Sequence, residues 1–74
     1  MTIAEQIHEL LDPLIGEMMA TSALASNCGK IHKTPESLAS GDMMALSYHL
    51  SQGLVFFIGT ETAGRIAERI ARMG

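Results

Sequence analysis

Leu54-Val55-Phe56-Phe57-Ile58 is the most apolar stretch of this chain, and it ends sharply at Gly59. A domain of 74 residues is small. Such a chain buries only about 60% of the surface of its unfolded form, so it has little interior for five consecutive large apolar side chains. Whatever covers this run decides the fold and the oligomeric state.

The composition of residues 54–58 leaves two structures open. β-Branched and aromatic residues are typical of a short strand, which is one alternative. A helix is favoured, because residues 43–52 have helical apolar spacing and only Gly53 interrupts the pattern before the run ends. This second predicted helix begins with Ser40 as its N-cap and Asp42 in its first turn. Its predicted buried stripe comprises Met43, Leu46, Leu50, Leu54, Phe57 and Ile58.

The N-terminal segment predicts a first helix. Thr2 and Glu5 have the spacing of a capping box. Apolar residues then recur every three or four positions: Ile3, Ile7, Leu10, Leu11, Leu14, Ile15, Met18 and Met19. Pro13 predicts a kink near residues 11–12. The alternative is a new helix with Asp12 as its N-cap and Pro13 at its first position. One kinked helix is favoured, since the apolar face continues in phase to Met19. Small residues then lead to a predicted C-cap at residues 27–29.

The remainder of the chain predicts a connector and a third helix. In the connector, residues 27–40, Thr34 and Pro35 predict a short helical turn. Thr60 is the predicted N-cap of the third helix. Its inward residues are Ala63, Ile66, Ala67, Ile70 and Met73. The sequence therefore predicts a single all-α domain, residues 1–74, with three helices and a kinked first helix.

The overall composition favours a homodimer. Apolar residues make up 47% of the chain and charged residues only 18%, against about 25% charged in an ordinary soluble domain. A small chain with surplus apolar surface commonly covers it with a second copy. The predicted dimer interface is Leu54, Phe56, Phe57 and Ile58. A monomer that tolerates some exposed apolar side chains is the alternative.

Charge and cysteine content restrict the class of partner and the compartment. The net charge of −3 argues against nucleic acid, whose binders usually carry a basic patch. No apolar run approaches the ~18 residues that span a bilayer. A single cysteine suits a reducing environment. These features, together with an N-terminus that lacks a basic region, predict a cytoplasmic protein without membrane contact.

The residue types that can bind metals or catalyse reactions do not form a complete site in the sequence. Cys28 and His32 are natural zinc ligands, but structural zinc needs four. Glu5 and His8 have the Glu-x-x-His spacing of di-iron bundles, and this spacing occurs once where two copies are required. We therefore predict no metal, no cofactor and no catalytic residue, hence no enzyme.

Two groups of residues suggest contacts with other molecules. Arg65, Arg69 and Arg72 lie on one side of the last helix, where Glu61 and Glu68 can pair with the first and the last of them. Methionines make adaptable binding surfaces, and the candidates are Met18, Met43 and Met44. The leading functional hypothesis is a non-enzymatic protein-interaction module, a small helical regulator or adaptor that acts as a homodimer and binds another protein. A small DNA-binding regulator is the alternative, and a metal- or small-ligand-binding helical protein is a further one.

Overall fold

Regular structure in the described part of the chain is helical throughout. A computed structural model describes residues 2–73. Its elements are α1 (Ile3–Ile15), α2 (Glu17–Lys30), two short 3-10 turns (Pro35–Ser37 and Ser40–Asp42) and α3 (Met43–Ala71). No strand occurs within these residues, and run 54–58 belongs to α3. The all-α prediction is confirmed.

The start of α1 is fixed by the predicted capping box. The backbone N–H of Glu5 donates to Thr2 Oγ1 over 3.1 Å, and the backbone N–H of Thr2 donates to Glu5 Oε1 over 2.9 Å. The bond from the Thr2 backbone N–H lowers the pKa of the Glu5 carboxyl below its ordinary value, because it favours the charged form, and the Thr2 hydroxyl lowers this pKa further. The exchange satisfies two of the backbone donors that every helix start leaves free.

The boundary between α1 and α2 lies at a glycine. Helix α1 includes Pro13 and ends at Ile15. Gly16 has φ 86° and ψ 155°, a conformation that is essentially restricted to glycine. The sequence predicted one helix bent near residues 11–12; the chain instead has two helices that meet a few residues further on.

A second glycine divides α3 into two arms. Gly59 has φ 82° and ψ 164°, whereas the residues on both sides are helical. We call residues 43–58 the N-terminal arm and residues 60–71 the C-terminal arm. The predicted helix end at Gly59 is thus where the helical path breaks.

The connector follows the prediction in one turn and departs from it in two places. Thr34 and Pro35 open the first 3-10 turn as expected. Helix α2 continues to Lys30, past the predicted cap at residues 27–29. The predicted N-cap at Ser40 is wrong, because Ser40 lies within the second 3-10 turn and α3 begins at Met43. In that turn the Asp42 carboxylate accepts from the backbone N–H of Ala39.

All three helices contribute to one hydrophobic core. Its buried members are Ile7, Leu11, Ala20, Leu24, Cys28, Met43, Leu46, Leu50, Leu54, Ala63, Ile66 and Ile70. Within residues 2–73, no helix is long and apolar enough to cross a membrane.

Two members of the predicted buried stripe are outside the fully buried core: Ile58 is half-buried and Phe57 is exposed. Leu54 is buried, but Phe57 is 62% exposed. Phe57 follows Leu50 by seven residues and so lies on nearly the same helical face. It is exposed because it faces a groove, shared with Ile15 and Met19 beside the α1–α2 corner, that is open to solvent.

Candidate interaction surfaces

Two adjacent phenylalanines project from the end of the N-terminal arm of α3. Phe56 is 87% exposed and Phe57 is 62% exposed. Val55 and Ile58 beside them are half-buried and pack against the core. We call Phe56, Phe57 and Ile58 the aromatic patch. Of the four residues predicted as a dimer interface, these three reach the surface and Leu54 does not.

Two of the three methionines predicted to bind a partner are exposed, and the third is buried. Met18 on α2 is 88% exposed and Met44 on α3 is 72% exposed, so both are accessible. Met43 is 1% exposed. It lies in phase with Leu46 and Leu50 and fills the core, which rules out the surface role predicted for it.

The three arginines are carried on the C-terminal arm of α3, and two of them form the predicted ion pairs. Arg65 Nη2 lies 2.8 Å from Glu61 Oε1, and Arg72 Nη2 lies 3.4 Å from Glu68 Oε1. All four side chains are well exposed, so each pair stabilises the helix by only a few tenths of a kcal/mol, about 0.2–0.5. Their charge is largely neutralised locally.

Arg69 and Arg65 border a groove between α1 and the C-terminal arm. It encloses about 480 Å³. Its apolar wall includes Leu10, Leu14 and Ile66. Leu14 is 44% exposed. Glu9 and Glu68 also line the groove, so its edge carries both charges above an apolar floor. Such a surface can bind a protein segment that carries charged and apolar side chains.

A second groove lies between α2 and the N-terminal arm of α3, and it contains the most unusual polar group of the fold. Asn27 lines this groove and is only 6% exposed. Its Nδ2 donates to the Ala23 carbonyl over 2.7 Å. Its Oδ1 is the one buried side-chain oxygen or nitrogen of residues 2–73 without a hydrogen-bond partner. Sequence reasoning treated Asn27 only as a possible helix cap and missed this role.

Cys28 and His32 do not share a site. Cys28 is fully buried in the core, whereas His32 is exposed and has a positive φ of 60°. Burial raises the pKa of the Cys28 thiol, and the negative charges of Glu36 and Asp42 raise it further. The thiol is therefore held in its unreactive protonated form.

The acidic face of α1 also has local partners. His8 Nδ1 lies 2.9 Å from Asp12 Oδ1, and Glu5 is bound in the capping box. His49 on α3 packs edge to face against Tyr48. Among the residues that the structure describes, no three histidine, cysteine, aspartate or glutamate side chains are grouped so as to hold a metal ion.

Comparisons with protein-family models, with curated proteins and with solved structures found no match to this chain. Its function must therefore be argued from its own surfaces.

Proposed function

We propose that this chain is a non-enzymatic protein-interaction module, a small helical regulator or adaptor that acts as a homodimer. The aromatic patch is the proposed dimer interface. The observation that carries the proposal is the exposure of Phe56 and Phe57, at 87% and 62%. Single exposed apolar residues are ordinary, but adjacent large aromatics are typical of surfaces that another protein covers.

The strength of the dimer follows from simple magnitudes. Full burial of a wholly exposed phenylalanine stabilises by roughly 1.5–3 kcal/mol. Because Phe56 and Phe57 are 87% and 62% exposed, the four phenylalanines of two copies supply about 4–9 kcal/mol. Association costs an estimated 4–15 kcal/mol. The two ranges overlap, so the patch alone supports a weak dimer, with dissociation in the micromolar range or above.

Sedimentation of the wild-type chain over a range of concentrations tests this proposal. We expect a monomer–dimer equilibrium that Phe56→Glu shifts to monomer. Met44→Glu is the matched control, since Met44 is 72% exposed on the same arm of α3 but on a different side. A wild-type chain that stays monomeric into the high micromolar range would refute the dimer, as would equal effects of the two substitutions.

We further propose that the groove bordered by Arg65 and Arg69, together with the exposed Met18 and Met44, receives a second protein. The edge of that groove carries Glu9 and Glu68 as well as Arg65 and Arg69, so a protein segment with side chains of both charges fits it better than nucleic acid. Arg69→Glu tests this contact: it should weaken capture of the partner from native lysate and leave the monomer–dimer equilibrium unchanged. Unaltered capture would remove Arg69 from the contact.

A further inference from the structure

The buried amide of Asn27 lacks an explanation within the fold. A buried acceptor without a partner costs about 1–3 kcal/mol. Buried polar atoms of this kind are rare in folded proteins. The Nδ2 bond to Ala23 O fixes the orientation of the amide, so rotating it would replace one unsatisfied atom with two. Oδ1 is therefore an acceptor that the chain itself does not use.

The groove that Asn27 lines is mainly apolar, and its other polar residues, Ser26 and Lys30, are exposed to solvent. Its walls come from all three helices and include Ile15 of α1, Met19 of α2 and Leu50, Leu54 and Phe57 of α3. It encloses about 210 Å³. An apolar cavity of about 150 Å³ is large enough for benzene, whereas sites for drug-sized ligands begin at about 300 Å³. The available space suits a molecule of one or two fused rings.

The charge of the site limits the ligand class further. Lys30 is the one charged residue along the groove, and it is exposed. Its ammonium can remain in water while its stem borders the apolar wall. A neutral ligand thus loses no ion pair. Ser26 is exposed to water, so the buried Oδ1 of Asn27 is the polar atom of the groove that lacks a partner, and a single donor satisfies it.

We propose that this groove binds a small neutral aromatic molecule that has one N–H or O–H donor, and that Asn27 Oδ1 accepts the hydrogen bond from that donor. The ring lies between Leu50, Leu54 and Phe57. Because Oδ1 is itself buried, a side chain of the groove must shift to admit the donor, and Met19, which lines the groove and is unbranched, can do so. Binding at this site requires neither the homodimer nor a second protein.

Indole and 1-methylindole form a matched pair of probes, because methylation removes the donor and leaves the ring. The chain contains no tryptophan, so indole emission reports binding directly. One neutral hydrogen bond is worth about 0.5–1.5 kcal/mol, so we expect indole to bind roughly 2- to 10-fold more tightly than 1-methylindole. Asn27→Leu should abolish that preference while keeping affinity for the ring. Equal affinity of the wild type for both probes, or no binding of either, would overturn the proposal.

A second variant blocks the groove without touching Asn27. Gly53 lines it, is helical and has open space where a side chain would be added. Gly53→Leu should reduce indole affinity at least tenfold. Gly64→Leu, on the other arm of α3 and equally unobstructed, is the control and should leave affinity unchanged. Because both positions are exposed, this pair stays informative even if Asn27→Leu perturbs folding; equal affinities of the two variants would argue against the groove.

Discussion

Gly16 and Gly59 share almost the same backbone conformation, with φ and ψ of 86° and 155° at the first and 82° and 164° at the second. Each lies directly between two helical segments. Both lie in a region of φ and ψ that is essentially closed to residues with a Cβ. The chain therefore changes direction twice in the same way, at a single glycine with a positive φ between two helical segments.

Replacement of either glycine should destabilise the fold. Gly16→Ala and Gly59→Ala each force a Cβ into an excluded backbone region, at a cost of about 1–3 kcal/mol. No neighbouring atom lies within 4 Å of the added Cβ, so the effect comes from the backbone and not from a clash. Urea unfolding measures it.

The same substitution has the opposite sign at the helical glycines. Gly53→Ala and Gly64→Ala add a Cβ in open space within regular helix, where alanine is more favourable than glycine by about 1 kcal/mol. Both variants should be more stable than the wild type. If Gly53→Ala destabilised the chain as much as Gly59→Ala, the conclusion that Gly53 is helical and Gly59 is not would be wrong.

The capping box predicts a pH dependence at the acidic end of the scale. The pKa of Glu5 is lowered in the folded chain, first by the Thr2 backbone and then by its hydroxyl. The contribution of this carboxylate is complete above its unfolded pKa, about 4.3, and is lost as the pH falls through the lower folded value. Glu5→Gln keeps a capping oxygen but does not titrate. The wild type should have a higher melting temperature than this variant, and the difference should shrink as the pH falls below that unfolded pKa. A difference that does not depend on pH would contradict a stabilising role for the Glu5 carboxylate.

Cys28 should be protected from alkylation. The thiol is buried and its pKa is raised, so the reactive thiolate is scarce in the native state. Iodoacetamide should modify the native chain much more slowly than the chain in concentrated urea. Since Cys28 is the only cysteine, mass spectrometry gives the rate without ambiguity. Similar rates in the two states would show that the thiol is accessible.

Substitutions at two residues of the apolar run, Leu54 and Phe56, should have different effects on the free energy of unfolding. Leu54→Ala removes a core side chain that is 2% exposed and should cost about 2–5 kcal/mol in unfolding. Phe56→Ala alters a side chain that is 87% exposed, so at concentrations where the chain is monomeric it should change stability by less than about 0.5 kcal/mol. Unfolding of dilute samples followed by circular dichroism compares the two variants, and equal losses of stability would contradict the burial of Leu54 and the exposure of Phe56.

Local signals in the sequence predicted the local features well. Thr2 with Glu5 predicted the first cap, Thr34 with Pro35 the connector turn, and the four-residue spacings the ion pairs of Arg65 and Arg72. These features depend on neighbours within a few positions, which a sequence displays directly.

Features that depend on tertiary placement were harder to predict. Periodicity assigned Phe57 to the core because it shares a face with Leu50, but only the path of α1 and α2 determines that the space opposite Phe57 is open. The same applies to Asn27, whose burial follows from the packing of α2 against α3. The face of the helix on which a residue lies does not show whether a neighbouring helix extends far enough to cover it.

The division of the 54–58 run between core and surface has an evolutionary consequence. Two positions separate Leu54, which the fold requires, from Phe56, which the isolated fold does not use. Substitutions at Phe56 that spare folding would meet no purifying selection from stability alone. Any constraint on its identity must come from molecules outside the chain, so natural variation at Phe56 would record the history of its contacts, and variation at Leu54 the history of the fold.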